Sequence, residues 1–341
     1  MNRSPDAAAL NSGILEPPLM TSVPSIPTFS KPIRGIVPPM VTPLIGRDDL
    51  DHAGLERLIN YQVDAGVAGL FVLGTTGEGP SLSYRLRYEL VERTCELVAG
   101  RIPVLVGITD TSLEEALELA SYAHGVGAAA VVAAPPYYFS VGESEVGHFL
   151  ADLADDSPLP MFVYNMPSCV KLSLSFETVQ RLADHKNICG VKDSSGDIEA
   201  YRKLLELRSV RSDWTFLIGP EHLTAESVLM GGDGGVNGGA NLYPRLFVEL
   251  FRAADRKDQS EINRLQAVVM ALGNLYGIAG EGPSGYLRGL KCALSVSGIC
   301  SDQLAPPFRT ATESDRSKIA ELLASLSPAL SVQNGTVRSG S

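Results

Sequence analysis

The sequence predicts an α/β protein built on a parallel sheet, and three observations carry that prediction. Short apolar runs bounded by turn-forming residues alternate with amphipathic stretches from about residue 33 to 256, the rhythm of repeated strand–helix units. Eight such runs can be counted, at 35–41, 68–74, 102–107, 129–134, 160–165, 188–192, 214–219 and 234–238. The chain has 341 residues, 45% of them hydrophobic and 20% charged, which suffices for one large core; an α/β barrel with helical additions uses about this length as a single domain.

Taken in order, residues 1–32 are rich in Pro, Ser and Ala and hold no unbroken apolar run, which predicts a flexible arm and argues against a signal peptide. The strand–helix repeats then occupy 33–256. After the third strand, Ala116, Leu119, Ala120 and Ala123 recur at the spacing of one buried helical face. From about 257 the strands stop, and Ile262, Leu265, Val268, Val269, Leu272 and Leu275 predict a long helix followed by two shorter ones. A C-terminal helical subdomain over 257–327 and a flexible tail over 328–341 complete the expected organisation.

Charge and cysteine usage exclude several classes of function. A net charge of −11 argues against nucleic acid or an anionic membrane as partner, because both demand basic surface. Cys95, Cys169, Cys189, Cys292 and Cys300 form an odd set without Cys-x-x-Cys, which suggests neither a disulfide framework nor a zinc site and points to a reducing cytoplasm. The histidines His52, His124, His148, His185 and His222 are scattered without ligand spacing and are expected on the surface or at helix ends, so no metal site is expected. Gly280-Glu281-Gly282-Pro283-Ser284-Gly285 satisfies the pattern G-x-G-x-x-G but follows a helical stretch instead of a strand, which removes the context a dinucleotide site needs.

The residue with most chemical content is Lys192 in Ile188-Cys189-Gly190-Val191-Lys192-Asp193-Ser194-Ser195. It closes an apolar run at the point where a buried strand should give way to a polar loop. A lysine there loses hydration, which favours the neutral amine and makes it a nucleophile toward carbonyl carbon; a strand-end lysine reaching solvent is an equal reading of this segment by itself. Gly74-Thr75-Thr76-Gly77-Glu78-Gly79-Pro80-Ser81-Leu82-Ser83 follows the apolar run 69–73, and its paired threonines can direct hydroxyls and amides at a carboxylate. A carboxylate stabilising a helix N-terminus is the expected role of Glu78. Tyr164, in the strand Pro160-Met161-Phe162-Val163-Tyr164-Asn165-Met166-Pro167, can relay protons or merely pack its ring.

Together these segments resemble the family of dihydrodipicolinate synthase and N-acetylneuraminate lyase, class I aldolases that handle pyruvate. The matching pieces are residues 74–78, Pro136-Tyr137-Tyr138, Tyr164-Asn165-Met166-Pro167, Gly190-Val191-Lys192-Asp193 and the glycine-rich Gly231 to Asn241, in the family's order over roughly 33–328. The resemblance implies a TIM (β/α)8 barrel with chemistry at the C-terminal ends of the strands, where Thr75, Tyr138, Tyr164, Lys192 and Val236 fall. It implies that Lys192 forms the imine with pyruvate or another 2-keto acid, with no separate cofactor. Tyr164 would move protons, and Thr75 and Thr76 would hold the carboxylate and connect to the tyrosine. Tyr138 would enter a neighbouring subunit's relay, which makes a homodimer or homotetramer the expected assembly. Gly219, Val236 and Cys169 complete the expected substrate-binding set, and the glycines around 236–239 would leave room for the second substrate.

Departures from the family narrow the substrate. Dihydrodipicolinate synthases carry an arginine two residues after the proline of Tyr-Asn-x-Pro, where a guanidinium can hold the carboxylate of aspartate semialdehyde; here Pro167-Ser168 is followed by Cys169, and Lys171 is the nearest cation. Positions used for lysine feedback hold Tyr84, Arg87 and Thr111, which makes that regulation doubtful. The loop 77–83 is similar to that of 2-keto-3-deoxygluconate aldolases. The expected activity is therefore a Schiff-base lyase joining or splitting pyruvate and a neutral aldehyde, as in a 2-keto-3-deoxy sugar acid. The alternatives are dihydrodipicolinate synthase, a 2-keto acid dehydratase, and a catalytically silent keto-acid-binding relative.

Overall fold

The computed structural model describes residues 32–331. The expected arm therefore lies outside the described residues apart from its last position, and so does most of the expected tail. Eight strands, β1 (Gly35–Ile36), β2 (Leu70–Val72), β3 (Val104–Gly107), β4 (Ala130–Ala133), β5 (Met161–Asn165), β6 (Ile188–Asp193), β7 (Thr215–Ile218) and β8 (Gly234–Gly235), form one parallel sheet. Its order is β1-β8-β7-β6-β5-β4-β3-β2. The two ends of that order meet. Ala68 N donates to Ile36 O at 2.7 Å, Phe71 N to Pro38 O at 3.0 Å and Met40 N to Phe71 O at 2.8 Å. These bonds close the sheet into the (β/α)8 barrel that the sequence predicts.

Helices α1 (His52–Asp64), α2 (Tyr84–Val98), α3 (Leu113–Gly125), α4 (Glu143–Asp156), α5 (Pro167–Val170), α6 (Phe176–Leu182), α7 (Ile198–Leu205), α8 (Thr224–Leu229) and α9 (Pro244–Asp255) surround it. Their starts are fixed locally. Asp51, Ser83, Ser112, Ser175 and Asp197 each accept from the backbone N–H three residues on, which satisfies a donor that the first turn leaves free. In α3 the buried face is Ala116, Leu119, Ala120 and Ala123, as its periodicity predicts.

Where the sequence predicts one long helix and two shorter ones after 257, four helices are present among the described residues: α10 (Gln259–Gly273), α11 (Leu275–Ile278), α12 (Gly282–Val296) and α13 (Glu313–Ser331). The last continues past Ser327, where the tail was expected to begin. The G-x-G-x-x-G run spans the α11–α12 junction and opens α12, with no strand before it.

Apolar side chains divide into two layers, one between sheet and helices and a smaller one inside the barrel. Along β5 the alternation is regular: Met161 and Val163 face the helices, Phe162 and Tyr164 the interior. Strand β6 breaks the rule. Met161 pairs with Ile188, but Phe162 pairs with Gly190, so β6 carries one extra residue opposite β5. Strict alternation from the outward Ile188 would turn Lys192 toward the helices. The bulge reverses the parity, and Lys192 pairs with Tyr164 inside the barrel.

Candidate active site

A cavity of about 440 Å³ opens at the C-terminal ends of the strands. Lys192 lies in its wall, only 4% exposed. Its Nζ sits 3.4 Å from the centre of the Tyr164 ring and 5.7 Å from that of Phe71, and donates to Ser194 Oγ at 3.0 Å. The Asp193 carboxylate beside it is engaged elsewhere. Asn165 Nδ2 donates to Asp193 Oδ2 at 2.7 Å, while Ser195 N and Oγ donate to Oδ1. Burial, only partly offset by Asp193 and Cys169, holds the Lys192 amine well below the usual lysine range. Burial thus favours the neutral form of the amine, and of the two readings of Lys192 the solvent-reaching one does not describe this structure.

Tyr164 is buried and its hydroxyl is 3.3 Å from Thr75 Oγ1. Burial pushes its phenol up to about 12, against hydrogen bonds from Thr75 and Ser194 that lower it, so it holds a proton available for transfer. Thr76 is placed differently from the expectation. Its Oγ1 lies 3.1 Å from the hydroxyl of Tyr286 on α12, so the two threonines hold two different tyrosines.

Gly219 and Val236 line the cavity, as does Gly238. The room at these glycines is nonetheless taken by protein. A Cβ on Gly219 would stand 2.1 Å from Ser194 Oγ, one on Gly238 1.7 Å from Tyr286 Oη, and one on Gly239 2.8 Å from the Phe247 ring. The glycines make space for the side chains of Ser194, Tyr286 and Phe247.

Cys169 is half-buried and, like the exposed Lys171, does not line the cavity. Tyr138 is also apart from it, 79% exposed and packed edge-on against Phe139 with ring centroids 5.2 Å apart. Tyr84 Oη and Arg87 Nη1 both donate to Asp110 Oδ2, at 3.0 and 3.1 Å, and Thr111 N donates to Asp110 Oδ1 at 2.7 Å. Arg87, the charged residue among the expected feedback positions, is thus paired with Asp110.

Glu78 does not serve a helix N-terminus. Its side chain makes no cap bond; one carboxylate oxygen lies 2.6 Å from Lys291 Nζ, and the other accepts from Ala305 N at 2.8 Å. Both charged groups are buried, and Lys291 Nζ also donates to Gln303 O. The pair ties the loop bearing Thr75 and Thr76 to α12 and to the segment that follows it.

Four polar cavity residues lie beyond those to which the sequence reading assigns a role. Ser194 follows Lys192 by two positions, the step that keeps a side chain on one face of an extended segment, and that signal was available. Glu221 lies in the turn after β7, where its Oε1 accepts from Gly239 N and from Tyr276 Oη at 2.7 Å. Burial raises its carboxyl above the usual range, those bonds notwithstanding. Tyr276 and Tyr286, with ring centroids 4.8 Å apart, come from the C-terminal helices. His222, expected at the surface or a helix end, is exposed and also lines the cavity.

A closed barrel with a buried strand-end lysine, a phenol over it and paired threonines beside it defines an aldolase-type site. Comparison with known proteins agrees. A sequence model of the dihydrodipicolinate synthetase family matches residues 32–326, and the chain belongs to that family. It is 31% identical to a 4-hydroxy-tetrahydrodipicolinate synthase of Gluconacetobacter diazotrophicus, over 85% of this chain and 96% of that one. It is also 31% identical to the probable 2-dehydro-3-deoxy-D-pentonate aldolase YjhH of Escherichia coli K12, over 86% and 97%. Among solved structures, dihydrodipicolinate synthase of Bacteroides thetaiotaomicron superposes with a TM-score of 0.84 at 47% identity, covering 86% of this chain and 99% of that one. Members of the family are class I pyruvate-dependent lyases, and this chain is an enzyme of that class. Among the described residues no helix is long and apolar enough to cross a membrane.

Proposed function

We propose that the enzyme makes or breaks a carbon–carbon bond between pyruvate and a neutral aldehyde through an imine on Lys192, as in a 2-keto-3-deoxy sugar acid. The observation that carries the chemistry is the buried Lys192 amine under the Tyr164 ring, with no carboxylate bonded to it. Its lone pair attacks the keto carbon. The former carbonyl oxygen takes protons through Tyr164 and leaves as water, giving an iminium. Loss of a C3 proton turns the iminium into an enamine, which attacks the aldehyde carbon, and the new alkoxide takes a proton from Tyr164. Water then releases the product. Cleavage runs the same steps in reverse. Thr75 and Thr76 hold the keto-acid carboxylate during these steps, with their hydroxyls and the backbone amides of their loop.

The rest of the lining supports that substrate class. Among the described residues no arginine lines the cavity, Lys171 stands outside it, and the acidic side chain of Glu221 lies in its wall. A second carboxylate brought there would stay without a cation, which costs several kcal/mol. A polyhydroxy aldehyde needs only hydroxyl partners, and Glu221, His222 and Tyr276 supply them. The second reading, condensation of pyruvate with aspartate semialdehyde, is favoured by the 47% identity to the dihydrodipicolinate synthase of Bacteroides thetaiotaomicron. Kinetics separate the two. The wild type should use glyceraldehyde-type aldehydes more efficiently than aspartate semialdehyde, and Cys169→Arg should shift the ratio toward the semialdehyde. Efficient use of the semialdehyde by the wild type, abolished in Lys171→Ala, would restore the synthase.

Tyr164→Phe should keep the fold, because it removes one hydroxyl and little volume, and should lower turnover on the order of a hundredfold or more. Unchanged turnover in a folded variant would assign the ring to packing. The exposed Tyr138–Phe139 pair supports assembly with a second copy, whose relay Tyr138 would then enter. The Arg87–Asp110 pair supports an enzyme without lysine feedback, and five cysteines that form no disulfide fit the cytoplasm as its compartment.

A further inference from the structure

We infer that Tyr286 is a positioning residue: its phenol fixes the hydroxyl of Thr76 so that Thr76 donates its single proton to the carboxylate of the bound keto acid. The inference rests on the proposed reading of the cavity as a keto-acid site.

Thr76 is buried, and its Oγ1 lies 3.1 Å from Tyr286 Oη. A hydroxyl has one proton and two lone pairs, so a threonine that donates to an anion can use its neighbour only as a donor. Tyr286 is suited to that part. Burial and the nearby Glu221 keep its phenol protonated well beyond the neutral range. With a carboxylate bound, the order becomes Tyr286 O–H to Thr76 O–H to carboxylate, and each bond polarises the next.

The phenol itself is held in place. It lies over Gly238, where any Cβ would stand 1.7 Å from its oxygen, and its ring packs against Tyr276, whose hydroxyl is tied to Glu221. The same helix anchors the threonine loop a second time through Lys291 and Glu78. Tyr164 does for Thr75 what Tyr286 does for Thr76, but Tyr164 also touches the reacting amine, and Tyr286 does not. Loss of the Tyr286 hydroxyl should therefore weaken keto-acid binding more than it slows the covalent step.

The test is the pyruvate dependence of borohydride trapping in wild type, Tyr286→Phe, Gly238→Ala, Thr76→Val and the double variant Tyr286→Phe/Thr76→Val, with melting curves for each. Tyr286→Phe should raise the half-saturating pyruvate concentration roughly tenfold, the scale of a hydrogen bond serving a charged group, with a smaller change in the rate at saturation. Gly238→Ala, which displaces the phenol, should raise it in the same way. The phenylalanine should add little in the Thr76→Val background, because both changes break one chain of bonds. Wild-type half-saturation in both Tyr286→Phe and Gly238→Ala overturns the inference, as does a full additive effect in the double variant. Absence of trapping in the wild type itself would instead overturn the keto-acid reading on which the inference rests.

Discussion

Lys192→Met should lose turnover by on the order of 10⁴-fold or more while the folded protein becomes more stable. The loss follows from chemistry: without the amine no imine forms, and binding with proton transfer alone cannot replace the nucleophile. The gain follows from linkage. The folded-state value of Lys192 is depressed below the ordinary 10.5, so as pH falls from there the unfolded chain takes up a proton before the native state does. Burying the amine therefore favours unfolding at neutral pH, and the penalty fades as pH rises toward 10.5. Methionine fills a similar volume without that cost. Melting of wild type and Lys192→Met at pH 7 should differ by roughly 1 kcal/mol in favour of the variant, the size of other stabilising changes at active sites. The difference should shrink on raising the pH. A variant less stable than wild type at pH 7 would show that the lysine contributes to folding and is not held neutral at a cost.

The second large effect is structural. Lys291→Met should destabilise the protein by about 3–5 kcal/mol, because it strands the Glu78 carboxylate in a dry site. The lysine lies 2.6 Å from that carboxylate, yet its own value is lowered, so burial outweighs the attraction of the pair. Such a pair adds little net stability as a pair, but neither half tolerates the loss of the other. Glu78→Gln/Lys291→Met should recover part of what Lys291→Met loses, since no unpaired charge then remains. Denaturant unfolding of wild type, both single variants and the double variant measures this directly. Equal stability of Lys291→Met and wild type would mean that water reaches Glu78. Because Glu78 belongs to the loop of Thr75 and Thr76, residual activity of Lys291→Met at low temperature should also show weakened pyruvate binding.

The architecture was legible because strand and helix periods repeat along the chain, and the cavity's near side was legible because strand ends carry distinctive polar residues. Lys192, Tyr164 and Thr75 could be found from the residues around them. Their mutual geometry could not. The inward direction of Lys192 depends on a bulge in β6, and one extra residue leaves no trace in an apolar run that ends with Ile188-Cys189-Gly190-Val191. The far wall was hidden for a different reason. Tyr276, Tyr286 and Lys291 lie on helices whose sequence shows only an amphipathic pattern, and nothing local ties them to a loop some 200 residues earlier. The G-x-G-x-x-G run ends at Gly285, one residue before the tyrosine that matters. Glu78 misled because a carboxylate after a glycine-rich turn commonly serves a helix start, and only the fold brings a buried lysine to it.

The central claim is that Lys192 carries the substrate as an imine. Incubation of the wild-type enzyme with pyruvate and borohydride, followed by peptide mass analysis, tests it most directly. The account predicts a reduced pyruvyl adduct on the single peptide that contains Lys192, and none in Lys192→Met. An adduct on another lysine, or a labelled Lys192→Met protein, would contradict it.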